Sequence, residues 1–248
     1  MEFYDINKFP AKEGLVLFPI SMGKLSNKSQ NQKTYLNYIT FLNKKIPKST
    51  SPKAKVSGIF IYTESLYFNS DKKSKDLKSR FLPLINNHKT GFIRLISKHQ
   101  SFIQDAFSYL SWTQLYLQYE GDFGTNLSKL KQIYKKDELF QKYLKEDFKS
   151  MKKKGMLLDE NQLNFFLEEH LMAYLLPKGK IQLPNNFINN HEKWILVAYP
   201  GKPLKAHIYL HQKNFFKLDN PKNKYQDSWY DLEEKKVYDF KRINLEEF

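Results

Sequence analysis

A serine, a pair of glutamates and a tyrosine are the residues of this chain whose type and surroundings suit covalent chemistry. Ser21 follows the apolar run 15–20 and precedes Met22 and Gly23. A buried strand would there deliver a hydroxyl to an opening, and the glycine would let backbone amides approach a bound carbonyl or phosphate. The same position suits a helix cap or turn residue, the commoner use of a serine after a strand. Glu168 and Glu169 lie in ENQLNFFLEEHLMAYLL. The main apolar face of that stretch is Leu163, Phe166, Leu167, Leu171, Tyr174 and Leu175; Glu168 borders it, while Phe165 and Glu169, four apart, share the opposite side. A carboxylate turned into a pocket would bind an amino group, and one on a solvated edge would bind nothing. Tyr199, followed by Pro200, closes the apolar run of KWILVAYPG, and Thr63 with Glu64 closes that of VSGIFIYTES.

The elements that must position these side chains follow from the apolar pattern. Ligands of open α/β sheets bind outside the carboxyl ends of the strands, where Ser21, Thr63 and Tyr199 stand. The three runs are apolar at consecutive positions, which predicts strands covered on both faces and a mostly parallel sheet with helices on both sides. Tyr35, Leu36, Ile39 and Leu42 mark a helix closing at Pro47. Pro83 is expected to interrupt the chain after the basic run 69–80, and Phe92, Ile96, Ile103, Phe107 and Leu110 predict one long helix over 90–117, broken by Gly121 and Gly124. A lysine-rich helix is expected over 129–154 and another over 159–176, with Asp159 as its N-cap and Pro177 beyond its end. HIYLHQ, 207–212, reads as a further strand. Residues 1–12 read as an arm, and the segment 219–248 as peripheral apart from Trp229 and Tyr230, within one domain spanning 1–248.

Composition narrows the chemistry. The chain has no cysteine, which excludes thiolate nucleophiles, disulfides and cysteine-ligated clusters. It has no G-x-S-x-G, Walker A, H-E-x-x-H or G-x-G-x-x-G sequence. Of the six histidines only His207 and His211 are grouped, and no third ligand accompanies them, so neither a metal nor a cofactor is expected. The 41 Lys and Arg against 26 Asp and Glu, net +15, favour a polyanionic partner, although lysine interspersed with Asn, Ile, Phe and Tyr is also the usage of an AT-rich genome. No signal peptide and no apolar run near the ~20 residues of a spanning helix is present, so a soluble, cytoplasmic protein is expected, with no membrane partner.

Three separated stretches together resemble the tRNA-dependent cyclodipeptide synthases. They are Ile20-Ser21-Met22-Gly23-Lys24, Phe165-Phe166-Leu167-Glu168-Glu169 and Val197-Ala198-Tyr199-Pro200. In that family a strand ends in a serine nucleophile with a glycine close behind, a helix carries Tyr-x-x-x-Glu, and a later strand ends in tyrosine followed by His or Pro. The Tyr-Pro pair, with lysine and not asparagine at position 24, is similar to the subfamily called XYP. Position 165 departs from the pattern, with phenylalanine for tyrosine, and the segment from 169 to 199 is longer than usual. The resemblance implies a Rossmann-like domain akin to the catalytic domains of class I aminoacyl-tRNA synthetases. It also implies a ping-pong reaction in which Ser21 takes an aminoacyl group from one aminoacyl-tRNA, a second aminoacyl-tRNA supplies the other amino acid, and the dipeptidyl-enzyme cyclises. Glu169, or Glu168 if the helix register differs by one, would anchor the α-ammonium group, Phe165 would lack the hydroxyl that in the family is expected to help hold the aminoacyl group, and Tyr199 would orient the acyl group as a hydrogen-bond donor. Gly23, Thr63 and Pro200 would border the substrate. A basic patch for tRNA would comprise Lys72, Lys73, Lys75, Lys78, Arg80, Lys89, Arg94 and Lys98, with 129–154 as a second candidate; about half of these would merely keep helices soluble.

Overall fold

The three central apolar runs are strands, and the structure shows why apolar residues occupy consecutive positions in them. The computed structural model describes residues 14–21, 30–45, 56–63, 74–98, 107–151, 158–181 and 194–248. The first elements are β1 (Gly14–Ile20), α1 (Gln32–Lys45), β2 (Val56–Tyr62), α2 (Ser74–Lys98) and β3 (Phe107–Ser111). Four helices follow, α3 (Trp112–Leu117), α4 (Phe123–Lys136), α5 (Glu138–Met151) and α6 (Glu160–Leu175). The chain then forms β4 (Trp194–Tyr199), α7 (Lys205–Lys213), β5 (Ser228–Asp231) and β6 (Lys236–Asp239). The six-stranded sheet has the order β3-β2-β1-β4-β5-β6. All neighbours are parallel except β5 and β6. This is an α/β fold with a mostly parallel sheet, and its strand order reverses between β1 and β4, the place where a crevice opens at the carboxyl edge of such sheets.

The period of two along a strand sorts the core into two layers. Leu15, Leu17, Ile59, Ile61, Ile195 and Val197 pack with the helices α3 to α7. Val16, Phe18, Ile20, Phe60, Tyr62, Leu196 and Ala198 pack with Tyr35 and Leu36 of α1 and Ile85 and Phe92 of α2. Odd-numbered positions of the central strands therefore face the α3–α7 layer. The alternation, continued to the strand ends, turns Pro19, Ser21, Thr63 and Tyr199 to that same side. Only glycine fits at position 14, where a Cβ would lie 1.9 Å from the Trp194 indole.

Several elements differ from the sequence expectation. The long helix expected over 90–117 is replaced by the end of α2, by β3 on the β2 edge, and by α3, which begins at a capping box between Ser111 and Gln114. Leu110 is buried and Tyr109 stacks on Phe60, and a short buried strand cannot be told from a helical turn by apolar spacing alone. Pro83 does not interrupt α2 but lies exposed inside it. Ile85, His88 and Phe92, spaced three and four apart, still bury the inner face of that helix. The helix expected over 129–154 is two, because Asp137 ends α4 and its carboxylate accepts the Phe140 N–H at the start of α5. Asp159 caps α6 as expected, accepting the Gln162 N–H at 2.8 Å.

The segment 207–212 is helical, not a strand. Leu204 offers α7 no side-chain cap; Asp147 of α5 supplies one, accepting the Lys205 and Ala206 N–H groups at 3.0 and 2.8 Å. The segment after residue 219 is not peripheral, since it contributes β5 and β6 and buries Tyr230, Tyr238 and Phe240. A buried ion cluster fastens it: the Asp227 carboxylate meets Lys178 at 2.7 Å, His211 at 2.9 Å and Lys241 at 2.9 Å. Among the described residues no helix is long and apolar enough to cross a membrane.

Candidate active site

The exit of β1 is held from both sides of a single peptide group. The Ile20 carbonyl accepts the Thr63 N–H at 3.2 Å and the Thr63 hydroxyl at 3.1 Å. The Ser21 N–H donates to Oε1 of Gln30 at 3.2 Å. One residue earlier, the Tyr35 hydroxyl donates to the Pro19 carbonyl at 3.4 Å. Across the switch point, β4 ends at Tyr199, whose phenol hydrogen-bonds the Ser21 side chain and is also acted on by the side chain of Gln30. Burial pushes the Tyr199 phenol well up, and the negative charge of Glu169 pushes it further. Tyr199 thus keeps its proton through the physiological range and serves as a donor.

Beside this pair lies a pocket of about 280 Å³. The sheet contributes Pro19, Thr63, Tyr199, Pro200 and Trp229, and α6 contributes Glu169, His170 and Ala173. Trp112, Met151, Leu176, Leu204 and His207 complete its largely apolar wall, while Lys202 stands exposed at the rim. The spacing 169, 173, 176 is a stripe along one side of α6, which is how the second face of this helix meets the pocket. His170 donates its Nδ1 proton to the Phe166 carbonyl at 2.7 Å, and burial lowers its pKa to about 4. His207 is also lowered, by burial and by the neighbouring His211 and His170. Both imidazoles are neutral at pH 7, so Glu169 and Lys202 are the charged residues of the lining. Gly201 holds a φ of +109° at the rim, the left-handed half of the map that only glycine adopts freely. Its carbonyl accepts the Trp229 indole N–H at 2.9 Å.

No family model and no curated protein matches the chain. Its fold, however, is similar to solved structures. The cyclodipeptide synthase (CDPS) from Staphylococcus haemolyticus matches at 15% identity with a TM-score of 0.54, over 90% of this chain and 94% of the other. That from Fluoribacter dumoffii matches at 12% identity with a TM-score of 0.53, over 83% and 86%. The chain has the cyclodipeptide synthase fold. At such identities the likeness is one of fold, and the side chains of the site are judged by their own geometry.

The cyclodipeptide synthase fold brings some of the residues singled out in the sequence together. Ser21, Thr63, Glu169, Tyr199 and Pro200 converge at the exit of β1 and β4. Glu168 does not belong to this group. Its carboxylate accepts the Tyr116 hydroxyl, which in turn accepts the indole N–H of the pocket residue Trp112 at 2.7 Å. Phe165 is half-buried, packs on Phe166 at 5.8 Å between ring centroids, and is not among the pocket walls. Gly23, Glu64, Lys72 and Lys73 lie outside the described residues, as do the side chains of Lys75, Lys78, Arg80 and Lys98. Arg94 is exposed on α2, whereas Lys89 is half-buried, with Nζ 5.2 Å from the Tyr62 ring centre and 5.7 Å from that of Tyr109. His207 and His211 are buried on α7. Sequence reasoning missed Gln30, Trp112, His170, His207 and Lys202 as parts of the site. Apolar and aromatic residues at helical spacing carry no local sign that they wall a pocket and not a core.

Proposed function

We propose that this chain is a tRNA-dependent cyclodipeptide synthase of the XYP type, an aminoacyltransferase that joins two aminoacyl groups from aminoacyl-tRNAs into a cyclic dipeptide. One observation carries the reading. A serine hydroxyl and a protonated tyrosine hydroxyl meet at the switch point of a cyclodipeptide synthase fold, beside a pocket-lining glutamate. Tyr199-Pro200, with Lys24 in place of asparagine, supports the subfamily.

The chemistry follows from these groups. Ser21 Oγ attacks the ester carbonyl of a first aminoacyl-tRNA; the bond to the ribose oxygen breaks, the serine proton goes to that oxygen, and free tRNA leaves. The Tyr199 O–H stabilises the oxygen on which negative charge develops. The α-ammonium group of aminoacyl-Ser21 gives up one proton to solvent, and the resulting amine attacks the ester of a second aminoacyl-tRNA; the bond to that ribose oxygen breaks, a second amine proton goes to the oxygen, and dipeptidyl-Ser21 and a second free tRNA result. The terminal amine finally attacks the seryl ester, closing the ring and returning the proton to Ser21. Glu169 holds the first α-ammonium group, and Trp112, Met151 and Trp229 surround its side chain, which suits an apolar or aromatic residue. The ester is already activated, so no nucleotide is consumed. Lys202 and Arg94 of α2 attract the tRNA, a cytoplasmic partner, and the sheet is read as kin to those of class I aminoacyl-tRNA synthetases.

Incubation of the protein with a mixture of charged tRNAs, followed by mass detection, is expected to yield a cyclic dipeptide. Ser21→Ala should abolish it together with the aminoacyl adduct on the protein. Binding of tRNA without product would overturn the proposal and leave a non-enzymatic RNA-binding protein; an acyl adduct formed only from another activated ester would point to a different acyltransferase.

A further inference from the structure

The direction of Ser21 is set by the peptide group between Ile20 and Ser21, which Thr63 holds by its carbonyl and Gln30 by its N–H. Gln30 comes just before α1 and is 0% exposed, so each of its polar atoms is costly unless bonded. Its backbone is held in turn. His88 of α2 places Nε2 3.1 Å from the Gln30 carbonyl and Nδ1 2.8 Å from the Tyr62 hydroxyl. A carbonyl only accepts, so Nε2 carries the proton, Nδ1 is the acceptor, and the Tyr62 O–H donates to it. Burial lowers the His88 pKa and keeps this single neutral tautomer. Tyr62 is the last residue of β2, immediately before Thr63. The end of β2 therefore grips the Ile20–Ser21 peptide twice, directly through Thr63 and indirectly through His88 and Gln30.

The remaining group of Gln30 points to a role beyond packing. Among the described residues its buried Nε2 completes no hydrogen bond, while the Gln30 side chain acts on the Tyr199 phenol. An N–H donor beside a phenol can meet only the lone pair of its oxygen, which leaves the Tyr199 O–H to be given to Ser21 Oγ or to a substrate oxygen.

We infer that Gln30 is a positioning residue: Oε1 fixes the peptide that aims Ser21, Nε2 fixes the direction of the Tyr199 O–H, and His88 with Tyr62 holds Gln30 in place. The inference rests on the reading of Ser21 as nucleophile. Two variants separate the functions. Gln30→Leu removes both contacts. Gln30→Glu keeps an acceptor for the Ser21 N–H but presents a second acceptor to Tyr199 until it is protonated. Nearby titratable groups are His88, Tyr35, Tyr62 and Tyr199 and, beyond Tyr199, Glu169 and Glu233.

In steady-state assays of cyclic dipeptide formation, Gln30→Leu is expected to lower kcat about 100-fold with KM within about threefold, the size of effect of a lost transition-state donor. Gln30→Glu should be similarly slow at pH 8 and recover as the pH falls, because protonation of the carboxyl group restores a donor toward Tyr199. A purely structural amide would show no such recovery. A Gln30→Leu enzyme within about threefold of the parent kcat, or a Gln30→Glu loss equal at every pH, would overturn the inference. If the parent protein makes no product, the proposed reaction fails, and crystal structures of parent and Gln30→Leu then decide the clamp separately. Loss of the contact between the Ser21 and Tyr199 hydroxyls supports it, and an unchanged arrangement at 20, 21 and 199 refutes it.

Discussion

Replacing Tyr199 by phenylalanine removes one oxygen atom and little else, so it isolates the contribution of the phenol. The ring keeps its packing against Trp229, 5.6 Å away between centroids, and β4 is otherwise unaltered. What disappears is the hydroxyl that meets Ser21 and Gln30. In the resting protein the loss is one hydrogen-bonded group, about 1 kcal/mol of stability. In the transition state it is a preorganised donor next to developing charge, worth about 100- to 1000-fold in kcat, or ~3–4 kcal/mol. Because burial and the charge of Glu169 both push the phenol up, it stays protonated well above neutrality. In the proposed reaction the parent protein should therefore show no alkaline loss of activity from Tyr199 below about pH 10. Quantifying cyclic dipeptide by mass at saturating aminoacyl-tRNA gives kcat for both proteins. A Tyr199→Phe variant within about threefold of the parent, or one whose defect lies wholly in KM, would refute the donor role.

Stability should fall in mild acid. His170 and His211 are lowered to about 4 and His207 is lowered too, all first by burial. The unfolded chain takes up protons below about pH 6.5 that the folded one refuses, so their contribution is full above that pH and is lost on the way to 4. Asp147, raised by burial to about 6, acts in the opposite sense below pH 6, one group against these three and His88, which burial also lowers. Calorimetry should give a Tm at pH 5 at least ~5 °C below that at pH 7.5, and equal values would contradict the burial of these histidines. Asp227→Asn leaves the 1%-exposed Lys178 without its closest counter-charge and should cost about 3–5 kcal/mol in urea unfolding. Lys241→Met, at the exposed arm of the same cluster, should cost less than about 1 kcal/mol, and equal costs would refute the asymmetry. Arg94→Ala should reduce the salt dependence of tRNA binding by about one unit of slope, measured by filter binding from low to high salt, and an unchanged slope would remove Arg94 from the binding surface.

The sequence alone settled what depends on nearest neighbours along the chain. Consecutive apolar residues in β1, β2 and β4 marked strands covered on both faces, and Asp159 announced the start of α6 because capping is a contact between residues three apart. The spacing set Phe165 and Glu169 together apart from the main apolar face of their helix, and of the two only Glu169 lines the pocket. Where competing structures share one local pattern, the sequence could not choose. His207 and His211 lie on a common side in either a strand or a helix, and the helix is stabilised by Asp147, a cap borrowed from α5. Phe107 and Leu110 fit a helical stripe until β2 offers an edge to pair with. The segment after 219 looked peripheral because its anchor, Asp227, finds Lys178 and His211 only in the folded chain. The site shows the same division most sharply. Ser21 and Tyr199 could be named from the ends of their strands, whereas Gln30 is an unremarkable glutamine until folding closes His88 behind it and the Ser21 peptide in front, for a buried amide acquires meaning only from the partners that tertiary structure supplies.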